Sequence, residues 1–597
     1  MYVTDKGGVK SALAILSQMD ILALDTETTG LDPAVDKVLL LQLGDDRNQF
    51  VFDVFKLGKD LKPILDFLRT TTAIIVGHNM KFDYKMIKTN FRITLENVRC
   101  TMLMEQLLNH GKKKVRYSLD EVLFKYFRIQ LDKTTQTEFI GMSWGDSFTE
   151  KQLEYSNDDV KYLVRLYYLL LKMLTYRGMK IVTQLENETL KATGDMELNG
   201  IYINRKLWLD LRILAEQEME RRRNELDVHF APYCNVDLFA NLSINYNSTK
   251  QVAPILAKIC KMKIKSTAAD TLEQYENRYP AIKALLAYKR AVKKITTYGD
   301  TFLSKYVSEH DGRIHSNFIQ LGAETGRYAS REPNMTNIPK QQVYRTPFES
   351  QHVDWKFISA DFSGQELRLL AHLSKEPKFI YALKNDMDLH CYSASLVYGI
   401  PYEDFFDEKG KRIPEMEEKY RNPAKSINFG LIYGIGATKL AKQLGITKKE
   451  AIALMDKYFK TFPQIKLLMD KLSREAQTNK FAISPLDGRR RDLSNVDWDN
   501  GGQVAHASNI AKNLPFQGCG ASTTKYALSL LRIELQKKKF KAMIVDVIHD
   551  EILVEVHKDH AEEVATLVKD KMVEAFNFFA PSIPMVVTPK IGKHWIH

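Results

Sequence analysis

Apolar and polar positions divide the chain into stretches of two different periods. Across 355–362, Phe357, Ser359 and Asp361 alternate with Ile358, Ala360 and Phe362, the period of a strand buried on both faces. Past Ser363–Gly364 the period changes, and Glu366, Leu367, Leu370 and Ala371 recur at helical spacing. Residues 542–556, AMIVDVIHDEILVEV, read as a hairpin: two β-branched apolar runs flank His549-Asp550-Glu551 at or beside the turn. Residues 21–30, ILALDTETTG, form another strand. IIVGHNMKFDYKMI at 74–87 is a strand leading into a helix, and YSNDDVKYLVRLYYLL at 155–170 begins a further helix. From about residue 186 the pattern is helical, with SINYNSTKQVAPIL at 243–256 offering Asn and Ser caps ahead of an amphipathic helix. ERRRNELDVH at 220–229 is charged on three sides and reads as a solvated helix.

The acids fall at informative places in these elements. Asp361 ends its strand, where an ion can reach it. Asp550 and Glu551 are strand neighbours pointing to opposite faces, so they should play different roles, with Asp550 the stronger metal ligand. Asp361 and Asp550 together form a candidate site for two Mg²⁺ ions roughly 3.5–4 Å apart, the arrangement used in phosphoryl displacement. Taken alone, a turn Asp paired with a nearby Lys gives the same pattern. Asp25 and Glu27 leave one face of their strand, Asn79 and Asp83 lie four apart on an expected helical face, and so do Tyr155 and Asp159. Asp25, Glu27, Asp83 and Asp159 thus make a four-carboxylate set drawn from three segments. Singly, Asn79 reads as well as a helix cap and Tyr155 as a core aromatic.

At 597 residues the chain needs at least two domains and about four subdomains. Its 44% apolar and 27% charged residues describe a soluble globular protein. No apolar window suggests a membrane span, and MYVTDKGGVK does not read as a secretory signal. A net charge of +12 favours a polyanionic partner. The five cysteines are scattered without a CxxC pair, which disfavours zinc or a disulfide framework and favours a reducing, intracellular setting. No GxxxxGK[ST] loop is present, which argues against a P-loop ATPase.

DFSGQELR at 361–368 and VIHDE at 547–551 resemble the two metal-binding motifs of family A DNA polymerases, the class of bacterial DNA polymerase I. RNPAKSINFGLIYGIG at 421–436, between them, resembles that family's nucleotide-binding fingers helix. The N-terminal acids resemble the tyrosine-containing DEDD exonucleases that proofread for many polymerases. The resemblance implies an α/β and α+β multidomain chain, with a ribonuclease H-like exonuclease domain followed by a right-hand polymerase. Its expected domains are exonuclease 1–185, thumb 186–310, palm 311–375, fingers 376–484 and palm 485–597. It also implies a monomer acting on primer-template DNA and dNTPs, with helicase and primase as replication partners. Each active site would hold two Mg²⁺, which Mn²⁺ can replace. No 5′-nuclease region precedes the exonuclease, and TPKIGKHWIH resembles the family's C-terminus, so the expectation is a complete domain.

By the same resemblance, Tyr155 orients the attacking water and Asn79 holds the degraded strand. ETGRYASREPNMTNIP at 324–339 resembles the primer-template motif: Arg327 reaches the minor groove, and Asn334 and Asn337 contact template or backbone. Glu366 is the steric gate against a ribose 2′-OH. His390, Arg421 and Lys425 meet the triphosphate, Phe429 the sugar and Tyr433 the base. Helical geometry puts Lys425, Phe429 and Tyr433 on one slowly drifting face, with Tyr420, Ala424, Ile427 and Leu431 roughly opposite and buried. Asn422 and Pro423 suit a helix start, which would displace Arg421 from the family position. Arg489, Arg490 and Arg491 are expected on DNA phosphates, Asn513 and Gln517 on the minor groove, and His549 at the primer terminus. Lys289, Arg290, Lys293 and Lys294 line a helix suited to duplex phosphates, although such rows are commonly just solvated, as is the Lys112–Arg116 run. Three positions depart from the family: Thr336 for Gln, Gly364-Gln365 for Gln-Ile, and Asn509 for Arg. Overall look and the Gly-Gln-Glu variant resemble the plastid (apicoplast) replicative polymerases of apicomplexan parasites. A single-subunit RNA polymerase would share the palm acids and the Lys/Tyr helix, but Glu366, Glu551 and the exonuclease set argue against it. A non-catalytic DNA clamp would not need these acids at all.

Overall fold

The computed structural model describes residues 1–131, 134–238 and 242–596, with backbone alone at 136, 296–298, 431 and 432. It divides into two units, one of Met1–Asn199, Ser316–Thr336 and Ile358–Ile591, the other of Gly200–His315, Asn337–Phe357 and Gly592–His597.

The first unit opens on a six-stranded sheet. Its strands are β1 (Tyr2–Val3), β2 (Ile21–Thr28), β3 (Val38–Gly44), β4 (Gln49–Asp53), β5 (Ile74–Gly77) and β6 (Val98–Cys100), in the order β1-β4-β3-β2-β5-β6. β3 is buried along its whole length, as its run VLLLQLG requires of a central strand. It pairs antiparallel with β2 and β4, while β5 and β6 continue the sheet in parallel. Helices α1 (Lys81–Phe91) and α2 (Glu150–Lys161) pack nearby. α2 begins five residues before Tyr155 because Thr149 and Gln152 form a reciprocal capping box.

Helix α3 (Lys180–Asn199) serves two cores. Val182 and Leu190 pack with the N-terminal sheet and its helices, whereas Leu185, Ala192 and Met196 join the large C-terminal core. Its backbone is continuous through 185–186. The C-terminal core is built on a second sheet of β7 (Trp355–Asp361), β8 (Ala542–Ile548), β9 (Glu551–His557) and β10 (Lys590–Gly592), in the order β8-β9-β7-β10. β8 and β9 form the expected antiparallel hairpin, closing at Ile548↔Glu551, with His549 left-handed at φ 59°. Around it lie α4 (Gln365–Ser374), α5 (Leu389–Tyr398), α6 (Asn422–Ile432), α7 (Lys448–Thr461) and the 37-residue α8 (Gly501–Lys537).

Asn422 does not cap α6. A π turn, Glu417–Arg421, runs directly into it. Pro423 supplies no N–H to the carbonyl of Lys419 and its ring crowds that carbonyl, so the widened turn lets the helix continue through proline. Arg421 therefore stays on helical backbone. Ala424 and Ile427 are buried as expected, while the Leu431 side chain lies outside the described residues.

In the second unit, helices Arg205–Phe230 and Pro280–Tyr298 pack along each other over a core that includes Leu226, Phe230, Leu256 and Leu285. The charged stretch 220–229 is mostly solvated, but Leu226 points inward. Lys289 and Arg290 do not form a free cationic row. Lys289 Nζ donates to the Thr267 carbonyl at 2.5 Å and Arg290 pairs with Glu276 at 3.0 Å, because residues 267–276 pack against this helix. Among the described residues no helix is long and apolar enough to cross a membrane, and the five cysteines are unpaired.

Candidate active sites

The N-terminal carboxylates converge. Asp25 and Glu27 leave one face of β2, and Asp159 approaches from α2; one oxygen of each lies within 4.8 Å of the others. Asp83, on the first turn of α1, accepts a hydrogen bond from Thr26 Oγ1 at 2.7 Å. Burial, followed by mutual repulsion, holds Asp25 and Glu27 well above the ordinary carboxylate range. Burial raises Asp83 and Asp159 to about 7, against the opposing hydrogen bonds from Thr26 and Tyr155. Glu27 Oε1 is buried with no hydrogen-bond partner. Crowded acids with an orphaned oxygen are a donor set short of positive charge, and an all-oxygen set suits Mg²⁺ or Mn²⁺. Tyr155 reaches the cluster through its hydrogen bond to Asp159.

Asn79 is neither on the α1 face nor its cap. It precedes the helix in the left-handed region (φ 60°), with Met80 at the cap position. That kink turns Asn79 into a cavity of about 370 Å³, lined also by Leu31, Phe82, Met102 and Gln106. None of those four was singled out from sequence. Exposed Leu31, just past the β2 acids, was the one available signal.

The C-terminal acids meet through the sheet. β9 lies beside β7, and Ser359 Oγ donates to Glu551 Oε1 at 2.6 Å. Asp361, two residues beyond Ser359 on the same face, is thus at the end of the sheet that carries the 549–550 turn. Asp361 is exposed and Asp550, in the turn itself, half-buried, whereas Glu551, the first residue of β9, is buried, so the two neighbouring acids differ in setting. Asp361 and Asp550 both offer carboxylate oxygens, the ligand type a hard divalent cation takes.

Three of the residues expected at the nucleotide share one cavity. Lys425, Phe429 and Tyr433 line one cavity of about 460 Å³, with Lys439, Gln443 and Asn509. Glu366, nearly buried, is pushed above its ordinary pKa by burial, while Arg327 Nη2 donates to its Oε1 at 2.6 Å. Tyr433 faces Glu366 and Gln517. Asn513 lines an adjoining cavity with Asn509, Thr325 and Arg491, and Asn509 lies close against Gly434. His549 stands exposed at the turn. Asn334, also exposed, accepts from the Thr336 backbone and hydroxyl, so the Thr that replaces Gln is spent on its own loop. Asn337, in the second unit, is exposed.

Two more arginines depart from expectation. Arg489 is fully buried and binds no surface; its Nη2 donates to Glu186 Oε1 at 2.8 Å, its Nε lies 3.5 Å from Asp487, and Lys525 Nζ shares Glu186 at 2.6 Å. Lys525 also donates to the carbonyls of Gln320 and Gly326, so this buried cluster fixes the loop that leads to Arg327. Arg421 is buried and clamped on Asp388 Oδ2 through Nε (3.0 Å) and Nη2 (2.8 Å), and on Glu417. It braces the cap of α5 rather than pointing a free charge at a ligand. His390 and Lys425 remain, the histidine held down to about pH 4 by burial, the lysine exposed.

The sequence of the C-terminal part, residues 216–597, matches the family description "DNA polymerase family A", and residues 1–175 match a 3′–5′ exonuclease family. The class is therefore a DNA-directed DNA polymerase with a 3′–5′ exonuclease domain. DNA polymerase I of Aquifex aeolicus is 30% identical over 100% of this chain and 99% of its own length. DNA polymerase I of Pseudomonas aeruginosa is 27% identical over 99% of this chain; the chain spans only 65% of that relative. The solved POL domain of Pol1 from M. smegmatis, in complex with DNA primer-template and dNTP, superposes with a TM-score of 0.84 over 100% of this chain and 99% of its own, at 24% identity. The chain belongs to family A of the DNA polymerases.

Proposed function

We propose that the chain extends a DNA primer on a template from dNTPs and removes mispaired 3′ ends. The observation that carries synthesis is the Ser359–Glu551 hydrogen bond, which ties the Asp361 strand end to the His549-Asp550-Glu551 turn. Asp361 and Asp550 would hold two divalent cations at the synthetic site, and Asp25, Glu27, Asp83 and Asp159 two at the degrading site; when bound, these supply positive charge to the reacting phosphate oxygens. Lys425 offers its ammonium to the triphosphate and balances the charge that develops on the leaving pyrophosphate. His390 donates a hydrogen bond to the same phosphates. Phe429 packs on the sugar and Tyr433 beside the base. Glu366 fills the space a ribose 2′-OH would need. Arg327 leaves Glu366 for the primer-end minor groove when DNA enters, with Asn513 and Gln517 on the same groove. At the second site Tyr155 positions water, and Asn79 grips the frayed strand with the Leu31, Phe82 and Met102 wall.

The enzyme is proposed to act as a monomer in organellar genome replication beside a helicase and a primase. The apicoplast setting rests on the Gly364-Gln365-Glu366 variant, and imaging of the tagged protein in cells tests it. The function is tested by primer extension with dNTPs and with NTPs, run beside degradation of a mismatched primer. Extension with dNTPs alone and preferential loss of the mispaired end are expected; extension with NTPs only, or no dependence on template, would overturn the reading.

A further inference from the structure

His390 touches Asn428, and the hydrogen bonds of that amide decide which ring nitrogen carries the proton. Its Nδ1 lies 3.0 Å from the side-chain nitrogen of Asn428, one residue before Phe429 on α6. Ser393 Oγ donates to the Leu389 carbonyl at 2.7 Å, so its proton is committed and it can only accept from Asn428, at 3.2 Å. On the other side Tyr458, from α7, donates its hydroxyl to Asn428 Oδ1 at 2.7 Å. These contacts orient the amide with its nitrogen toward Ser393 and His390. An amide N–H only donates, so Nδ1 must hold a lone pair. Asn428 and Ser393 are fully buried and Tyr458 is 1% exposed. A buried polar group with all its partners satisfied has little freedom to turn over.

We propose that Asn428, locked by Tyr458 and Ser393, is a positioning residue that fixes His390 as the neutral Nε2–H tautomer, aiming one N–H donor at the nucleotide's phosphates. The inference rests on the reading of His390 as a phosphate contact. Charged groups surround the ring: Asp388 at the cap of its own helix, Arg421 from the π turn before α6, Lys425 from α6, and Arg412 from the preceding loop. The three cations and burial oppose a further positive charge on the ring, and Asp388 is already taken by Arg421 and by the backbone N–H groups of His390 and Cys391. The site's charge toward the triphosphate then comes from Lys425, while His390 contributes direction at a geometry independent of pH near neutrality.

The test uses the full chain labelled with ¹⁵N-histidine, His390 being assigned by the signal lost in His390→Gln. The expected result is an Nε2–H pattern that does not titrate between pH 8 and about pH 5. Asn428→Asp replaces the donor by a carboxylate that only accepts, so it should turn the ring to Nδ1–H and raise the KM for dNTP about tenfold with a smaller change in kcat. In a His390→Gln background, where the side-chain amide supplies the outer donor without a tautomer, Asn428→Asp should change KM by less than about twofold. An Nδ1–H or imidazolium pattern in the parent chain overturns the proposal and leaves the phosphate contact standing if His390→Ala still raises KM. An unchanged KM in His390→Ala overturns the proposal through its premise.

Discussion

At the residue scale, the buried cluster around Arg489 separates what a cation does from what a basic run suggests. Arg489, Glu186, Asp487 and Lys525 are all fully buried, and each charge is compensated only by the others. Arg489→Met removes one partner and leaves buried acids underpaired, which destabilises by about 3–5 kcal/mol. Urea denaturation of the variant should show that loss; an unchanged midpoint with weakened DNA binding would return Arg489 to the phosphate role. Glu366 makes the opposite case, being singled out by its motif and lying beside Tyr433 and Arg327. Glu366→Ala opens the space beside Tyr433, so ribonucleotide incorporation should rise in single-nucleotide extension, and unchanged sugar selectivity would refute the gate. The difference between these two residues is physical. A gate is written into a local motif, whereas Arg489 meets Glu186 across 303 residues of sequence, and no local pattern announces that encounter.

Elements were legible where their period was regular. The alternation in β2 and the four-residue spacing of Tyr155 and Asp159 announce Asp25, Glu27 and Asp159, which lie together in the structure. The hairpin of β8 and β9 closed where its β-branched runs said it would. Irregular backbone was not legible. Asn79 adopts a left-handed conformation ahead of α1, and the π turn before α6 absorbs Pro423, both departures from the periods that sequence reading assumes. The Asn79 kink matters because it shapes the groove beside the acid cluster. Since that cluster draws on the N-terminal sheet and its helices alone, an Asp25→Ala, Glu27→Ala double variant should lose primer degradation and keep synthesis. Loss of both activities in the folded variant would show that the two sites are not separate.

On the scale of the whole molecule, two sets of acids in one chain and a shared helix α3 account for a polymerase core and an exonuclease domain packed into one unit. Partly buried histidines give that unit an acid limit. Burial holds His78 down to about 4, with Tyr117 O 2.6 Å from its Nε2. Folded, it stays neutral below the ordinary histidine pKa of about 6.5, at which the unfolded chain takes up a proton. The unfolded state thus binds more protons between those values, and stability falls as pH drops from about 6.5 toward 4. In Mg²⁺, His78→Gln should flatten the decline of Tm between pH 6.5 and 4.5; curves parallel to the parent's would contradict this. The central claim remains that Asp361 and Asp550 serve one synthetic site. Primer extension by Asp550→Asn, with degradation of the same primer followed in parallel, addresses it most directly. The account predicts that extension falls by at least about a thousandfold while degradation continues. Extension at the parent's rate would place the chemistry elsewhere.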